Sequence, residues 1–239
     1  MLNKIFHWFE SRIHPYPDTA PKTPEKGLFR FIWSSIEGMR RWILVLAFFS
    51  AGIGIMEALL FQFMGKVVDW LSHYSPDALM AEKGVALAGM ALMLVLFIIW
   101  RFFTNTVRLQ TLQGVFPMRL RWNFHRLMLG QSLSFYQDEF AGRVSAKVMQ
   151  TALAVREVVM TLADMVVYVL VYFLTTGVIL AALDGWLVLP FIGWMVLFGL
   201  VMRLVIPKLA KTAQRQADAR SLMTGRITDA YSNITTVKL

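Results

Sequence analysis

Glu57 and Gln62 are the two polar side chains with chemical reach in the otherwise apolar stretch Trp42 to Met64. At helical rise Glu57 stands roughly 22 Å into that stretch. A charge at bilayer depth costs about 2.5–3.5 kcal/mol on insertion scales, so the carboxylate needs a cavity, a partner or water. Three arrangements satisfy it. Glu57 and Gln62 can contact a cationic or amphipathic substrate, Glu57 can hydrogen-bond another helix, or it can reach hydration near the outer surface. Asp164, Arg101 and Arg203 also lie at the edges of apolar runs. Their simplest reading is the inner headgroup zone, where arginine snorkels; an Arg101–Asp164 pair is the specific alternative.

Other chemistries find no residues. His7, His14, His73 and His125 lack ligand spacing, so no metal site is expected. There is no cysteine, hence no disulfide or thiolate site. No GxxxxGK[ST] loop and no G-x-S-x-G setting occurs, so neither a nucleotide site of this type nor a catalytic set is expected here.

The remaining candidate is Gln131 to Gln150, QSLSFYQDEFAGRVSAKVMQ, the most polar interruption between two long apolar regions. It carries Phe135, Tyr136 and Phe140 among Gln137, Asp138 and Glu139. Exposed aromatics interleaved with acids suit a docking element better than a merely solvated turn.

The elements around it follow from composition. The chain has 239 residues, 57% hydrophobic and 16% charged, where soluble domains carry about 25% charged residues. An all-α, polytopic membrane protein is expected. Spans are read at about 42–64, 85–103, 158–183 and 186–206, the first two separated by a loop over 65–84 and the last two by the Asp184-Gly185 turn. Beyond Phe103 and Ile206 the helical spacing continues, so the second and fourth helices should stand out of the bilayer as stalks, with Pro117 a candidate kink. Residues 1–26 form a short amphipathic helix, either on the membrane or packed on the protein, and a linker with four prolines in thirteen residues; 27–41 form an interfacial elbow helix.

Orientation follows from the basic residues. Of 24 lysines and arginines, only Lys66 and Lys83 fall between the first two spans and none falls in the 184–185 turn. Both ends and the 131–150 loop are therefore expected in the cytoplasm. This accounts for the net charge of +9 without a nucleic-acid partner.

At the central loop the residues resemble a family. Arg119-Leu-Arg, Phe124-His-Arg-Leu-Met-Leu-Gly-Gln-Ser-Leu-Ser-Phe-Tyr-Gln-Asp-Glu-Phe-Ala and Gly142-Arg-Val-Ser are similar to the segment joining the second and third spans in the membrane domain of exporter-type ABC transporters. Gly65-Lys-Val-Val-Asp69, Asp184-Gly185-Trp186 and the run Gly225 to Lys238 agree in order and spacing, so the resemblance covers about 27–239. Gln137 and Thr151 stand where that family often has Asp, and Phe61 where it often has Pro. The resemblance implies a first coupling helix at about 135–141. Phe135, Tyr136 and Phe140 would be its apolar anchors and Gln137, Asp138 and Glu139 its polar contacts to an ABC ATPase domain.

It also implies six spans per membrane domain, of which this chain would supply the first four as the N-terminal part of a half-transporter. A second membrane domain would join as homodimer or heterodimer, in a bacterial inner membrane. Mg-ATP would bind at the ATPase domain, not here. The implied activity is ATP-driven export of an amphipathic, drug-like or lipid-like compound. A non-transporting four-span scaffold that binds a soluble partner through the same loop is the alternative.

Overall fold

The computed structural model describes residues 2–238 apart from 20, 22, 24, 25, 139 and 140. Every regular element among them is helical. Four runs, 40–73, 76–129, 144–183 and 185–216, are long and apolar enough to cross a membrane. The chain divides into two compact units, Met1–Ile179 and Leu180–Leu239.

In the first unit, α1 (Leu2–Glu10) precedes α2 (Leu28–Ser35), and α2 precedes α3 (Arg40–His73). Helix α1 packs on the protein: Phe9 is 9% exposed and Ile13, just beyond it, 3%. They join a core with Met39, Leu46, Leu112, Phe116 and Leu120. The elbow expected over 27–41 is helical only to Ser35, and a turn then redirects the chain into α3. Gly38 in this turn has φ +82, a left-handed conformation that an L side chain rarely adopts, and a Cβ there would collide with the Arg119 guanidinium.

The loop expected over 65–84 is not a loop. Helix α3 runs on to His73, and α4 (Pro76–Thr106) starts after Tyr74 and Ser75 alone. Both helices therefore extend beyond the spans read at 42–64 and 85–103. Polar residues such as Lys66 and Asp69 do not end this helix; the stop comes at Ser75-Pro76. Pro76 holds Ser75 in extended backbone (ψ 158) and occupies the first helical position, where its missing N–H costs nothing. The Lys83 ammonium lies 6.0 Å from the Trp70 ring and 5.5 Å from the Tyr74 ring, pinning this hairpin at its tip.

Helix α4 continues without a break into a π-helical stretch, Val107–Gln113, and then α5 (Val115–Leu129). Pro117 sits in the first turn of α5, and the carbonyl its missing N–H would have bonded is Gln113, the last residue of the π stretch. The irregularity expected at Pro117 is thus taken up one turn earlier. After α6 (Leu133–Asp138), α7 (Ala141–Met160) leads through a second π-helical stretch, Thr161–Val166, into α8 (Val167–Leu183).

In the second unit, the Asp184 side chain accepts from the Trp186 N–H at 2.9 Å. This caps a single 3-10 turn, Gly185–Leu187, that starts α9 (Val188–Ser232). At 45 residues α9 is about 68 Å long, an apolar first half followed by a polar stalk, with Pro207 at the change. A short α10 (Ile234–Lys238) follows.

Candidate functional site

The polar loop is built from the end of α5. The Gln131 N–H donates to the Met128 carbonyl at 2.8 Å, and its side-chain amide donates to the Leu127 carbonyl at 3.1 Å. Ser132 then accepts from the Phe135 N–H at 3.3 Å, the N-cap that starts α6. That cap explains why the helix begins at Leu133 rather than 135. The Tyr136 hydroxyl donates to the Met128 carbonyl at 2.6 Å, tying α6 back across the stalk tip. The Phe135 and Tyr136 rings meet edge to face at 5.3 Å. Phe135 is half-buried over a cleft of about 380 Å³ that also touches Phe124, Leu127, Val144 and Val148. Tyr136 and Gln137 are exposed. Asp138 ends the helix; Glu139 and Phe140 lie outside the described residues.

The intramembrane candidates sit on the seam between α3 and the third span. The Glu57 carboxylate accepts a hydrogen bond from the Tyr168 hydroxyl at 2.5 Å. Of the three arrangements open for Glu57, the described structure contains the bond to another helix. Gln62 is half-buried five residues on, about 140° around the helix from Glu57, and the two do not share a site. Asp164 does not pair with Arg101. Its Oδ1 accepts from the Ser50 hydroxyl at 2.7 Å, and its Oδ2 lies 3.1 Å from Arg108 Nη1. Arg108 comes from the first π stretch and Asp164 from the second, so one carboxylate joins three helical runs. Arg203, in the second unit, is exposed.

Close backbone approach makes these clasps. Ser50, Gly54 and Ala58 are buried at four-residue spacing on α3, the small-residue stripe that lets membrane helices touch. A Cβ on Gly54 would stand 2.9 Å from the Tyr168 carbonyl oxygen and 3.0 Å from the Tyr172 nitrogen. On the next face, Gly52 leaves room for Trp100 of α4, whose indole N–H donates to the Phe49 carbonyl at 2.8 Å. Sequence reasoning missed Ser50, Arg108, Tyr168 and Trp100. The S-xxx-G-xxx-A stripe and the Asp164–Tyr168 spacing of four were the signals that could have found them. Among the described residues no cluster could hold a metal.

Four long apolar helices, π-helical irregularities at the span–stalk junction and a short helix across the first stalk tip accompany a direct match. Residues 43–239 match the family described as ABC transporter transmembrane region. The chain belongs to that family. This ABC membrane domain is an integral, multi-pass membrane protein of the exporter type. It is 71% identical over its whole length to an uncharacterized ABC transporter ATP-binding protein of Haemophilus influenzae, of which it spans 39%. No solved structure matches it.

Proposed function

We propose that this chain forms part of the translocation pathway of an ATP-driven exporter of amphipathic, drug-like or lipid-like compounds. Helix α6 would be the element through which an ABC ATPase domain moves the spans. The observation that carries this reading is the tie at the stalk tip. A short helix, capped by Ser132 and bonded to Met128, presents an exposed Tyr136 and Gln137 at the end of α5. A force on α6 thus passes into a helical run continuous back to Pro76.

The relative's name contains "ATP-binding", and most of that relative lies beyond the region this chain matches. Mg-ATP and its hydrolysis belong, on this reading, to that further part or to a separate subunit. Both ends of the chain would face the cytoplasm of a bacterial inner membrane, as the basic residues indicate, and a second membrane domain would complete the pathway. Phe135 to Phe140 would seat in the ATPase domain, and Glu57 and Gln62 would border the pathway, Glu57 once Tyr168 releases it.

The test is ATP hydrolysis by the full-length protein in liposomes across a panel of amphipathic cations, lipids and hydrophobic peptides. Stimulation of several-fold by one class is expected, together with ATP-dependent movement of that class. Absence of ATP hydrolysis, or hydrolysis with no transport of any class, would favour the scaffold reading.

A further inference from the structure

Residues 14–19, HPYPDT, lie outside the matched family region, yet they are fastened to the stalk. Pro15 and Pro17 have no N–H and fix φ, so the segment offers more carbonyl acceptors than donors. Side chains of α5 supply the donors. Arg119 Nη1 donates to the His14 carbonyl at 2.9 Å. The Trp122 indole N–H donates to the Pro17 carbonyl at 3.2 Å, and the Tyr16 ring meets the Trp122 ring edge on at 5.5 Å. Arg126 Nη1 lies within hydrogen-bond distance of three successive carbonyls, Pro17, Asp18 and Thr19, at 3.1, 3.1 and 2.9 Å.

The three donors are spaced 119, 122 and 126, one face of a helix. They lie on the stretch of stalk between the core and the tip that carries α6. Upstream, Phe9 and Ile13 are buried in the core beside Met39 and Leu46, where α3 begins. Residues 9–19 therefore run from the base of the first span to the stalk of the second.

We infer that Arg119, Trp122 and Arg126 are positioning residues that hold this strap against α5. The strap makes the first span and the second stalk move as one body when α6 is driven. The inference rests on the export reading for its functional consequence. The buried Phe9 and Ile13 anchor the strap's upstream end in the core, and charge-assisted bonds to its carbonyls fix its register on the stalk. On this inference the strap is a tie and not a releasable latch. The stalk carries its donors because a proline-rich segment offers acceptors and no donors of its own at Pro15 and Pro17.

Two variants of the full-length protein test it. Arg119→Gln with Trp122→Phe and Arg126→Gln should leave basal ATP hydrolysis within about twofold. The compound-stimulated increment and the transport per ATP should fall by about tenfold. In the second variant, Tyr16→Cys and Trp122→Cys are combined with Arg119→Gln and Arg126→Gln, the chain having no other cysteine, so the strap is loose until a short reducible bis-thiosulfonate spacer joins the thiols. Any cysteines elsewhere in the full-length protein are replaced by serine. Coupling should be low before joining, restored on joining and lost again on reduction, all in one folded preparation. Unchanged coupling in the triple variant would overturn the tie. Arrest of turnover on joining would also overturn it, by showing that the strap must release. The joining itself provides a readout that needs no export activity: the spacer should link the two thiols within one chain in high yield even if the full-length protein proves not to be an exporter, and failure to join would overturn the contact itself.

Discussion

Gly54→Leu is expected to force α3 away from α8 and lower the stability of the membrane domain by about 1–3 kcal/mol, the range for overpacking a well-fitted contact. The groups a Cβ would meet are backbone, Tyr168 O at 2.9 Å and Tyr172 N at 3.0 Å, which cannot swing aside as a side-chain end can. Both clasps flanking the contact should loosen with it, Ser50 to Asp164 and Glu57 to Tyr168. Thermal unfolding in detergent should show a clear drop in Tm. Gly89→Leu, whose Cβ would meet nothing within 4 Å, should leave Tm near the parent value. Equal Tm values for the two variants would mean that the small-residue seam does not hold these helices together.

Phe135→Ala with Tyr136→Ala is expected to remove compound-stimulated ATP hydrolysis in the full-length protein while leaving the membrane domain folded. Loss of an aromatic anchor at an interface centre typically costs about 2 kcal/mol or more, roughly a thirtyfold weakening of docking. The two residues act differently. Phe135 is half-buried against the cleft beside Phe124 and Val148, so its truncation also unseats α6 from this chain. Tyr136 holds α6 through its hydroxyl to Met128 and exposes its ring. Tyr136→Phe, which keeps the ring and drops that bond, should therefore retain most of the stimulation. Stimulation that survives the double alanine variant would remove α6 from the coupling route.

Fold class was legible because its signal is cumulative: long apolar runs are hard to mistake. The boundary at 65–84 was not legible from polarity, because a helix leaves the bilayer without ending; only Pro76, with Ser75 before it, marked the stop. The α6 region was legible as a polar break carrying Phe135 and Tyr136 between two helices, but its start required seeing that Ser132 could cap Phe135. The partner of Glu57 was not legible, since Tyr168 is 111 residues away in sequence and one apolar helix can face another in many rotations. Asp164 illustrates the same limit. Arg101 and Arg108 both lay within plausible reach, and the π stretch at 107–113, invisible to a strict 3.6-residue period, belongs to the run that carries Arg108 to it. The strap was read as a linker because four prolines suggest a spacer. Its carbonyls, which sequence patterns do not display, made it a docked element.

On the proposed function, α6 is the surface an ATPase domain grips. A photo-reactive side chain at Gln137, exposed on α6, tests it most directly in the full-length protein in native membranes. On illumination the account predicts one dominant cross-link, mapped by peptide sequencing to the ATP-binding part, with a yield that changes between nucleotide-free and ATP-trapped states. Cross-links found only to lipid, or to segments of this membrane domain itself in every nucleotide state, would contradict it.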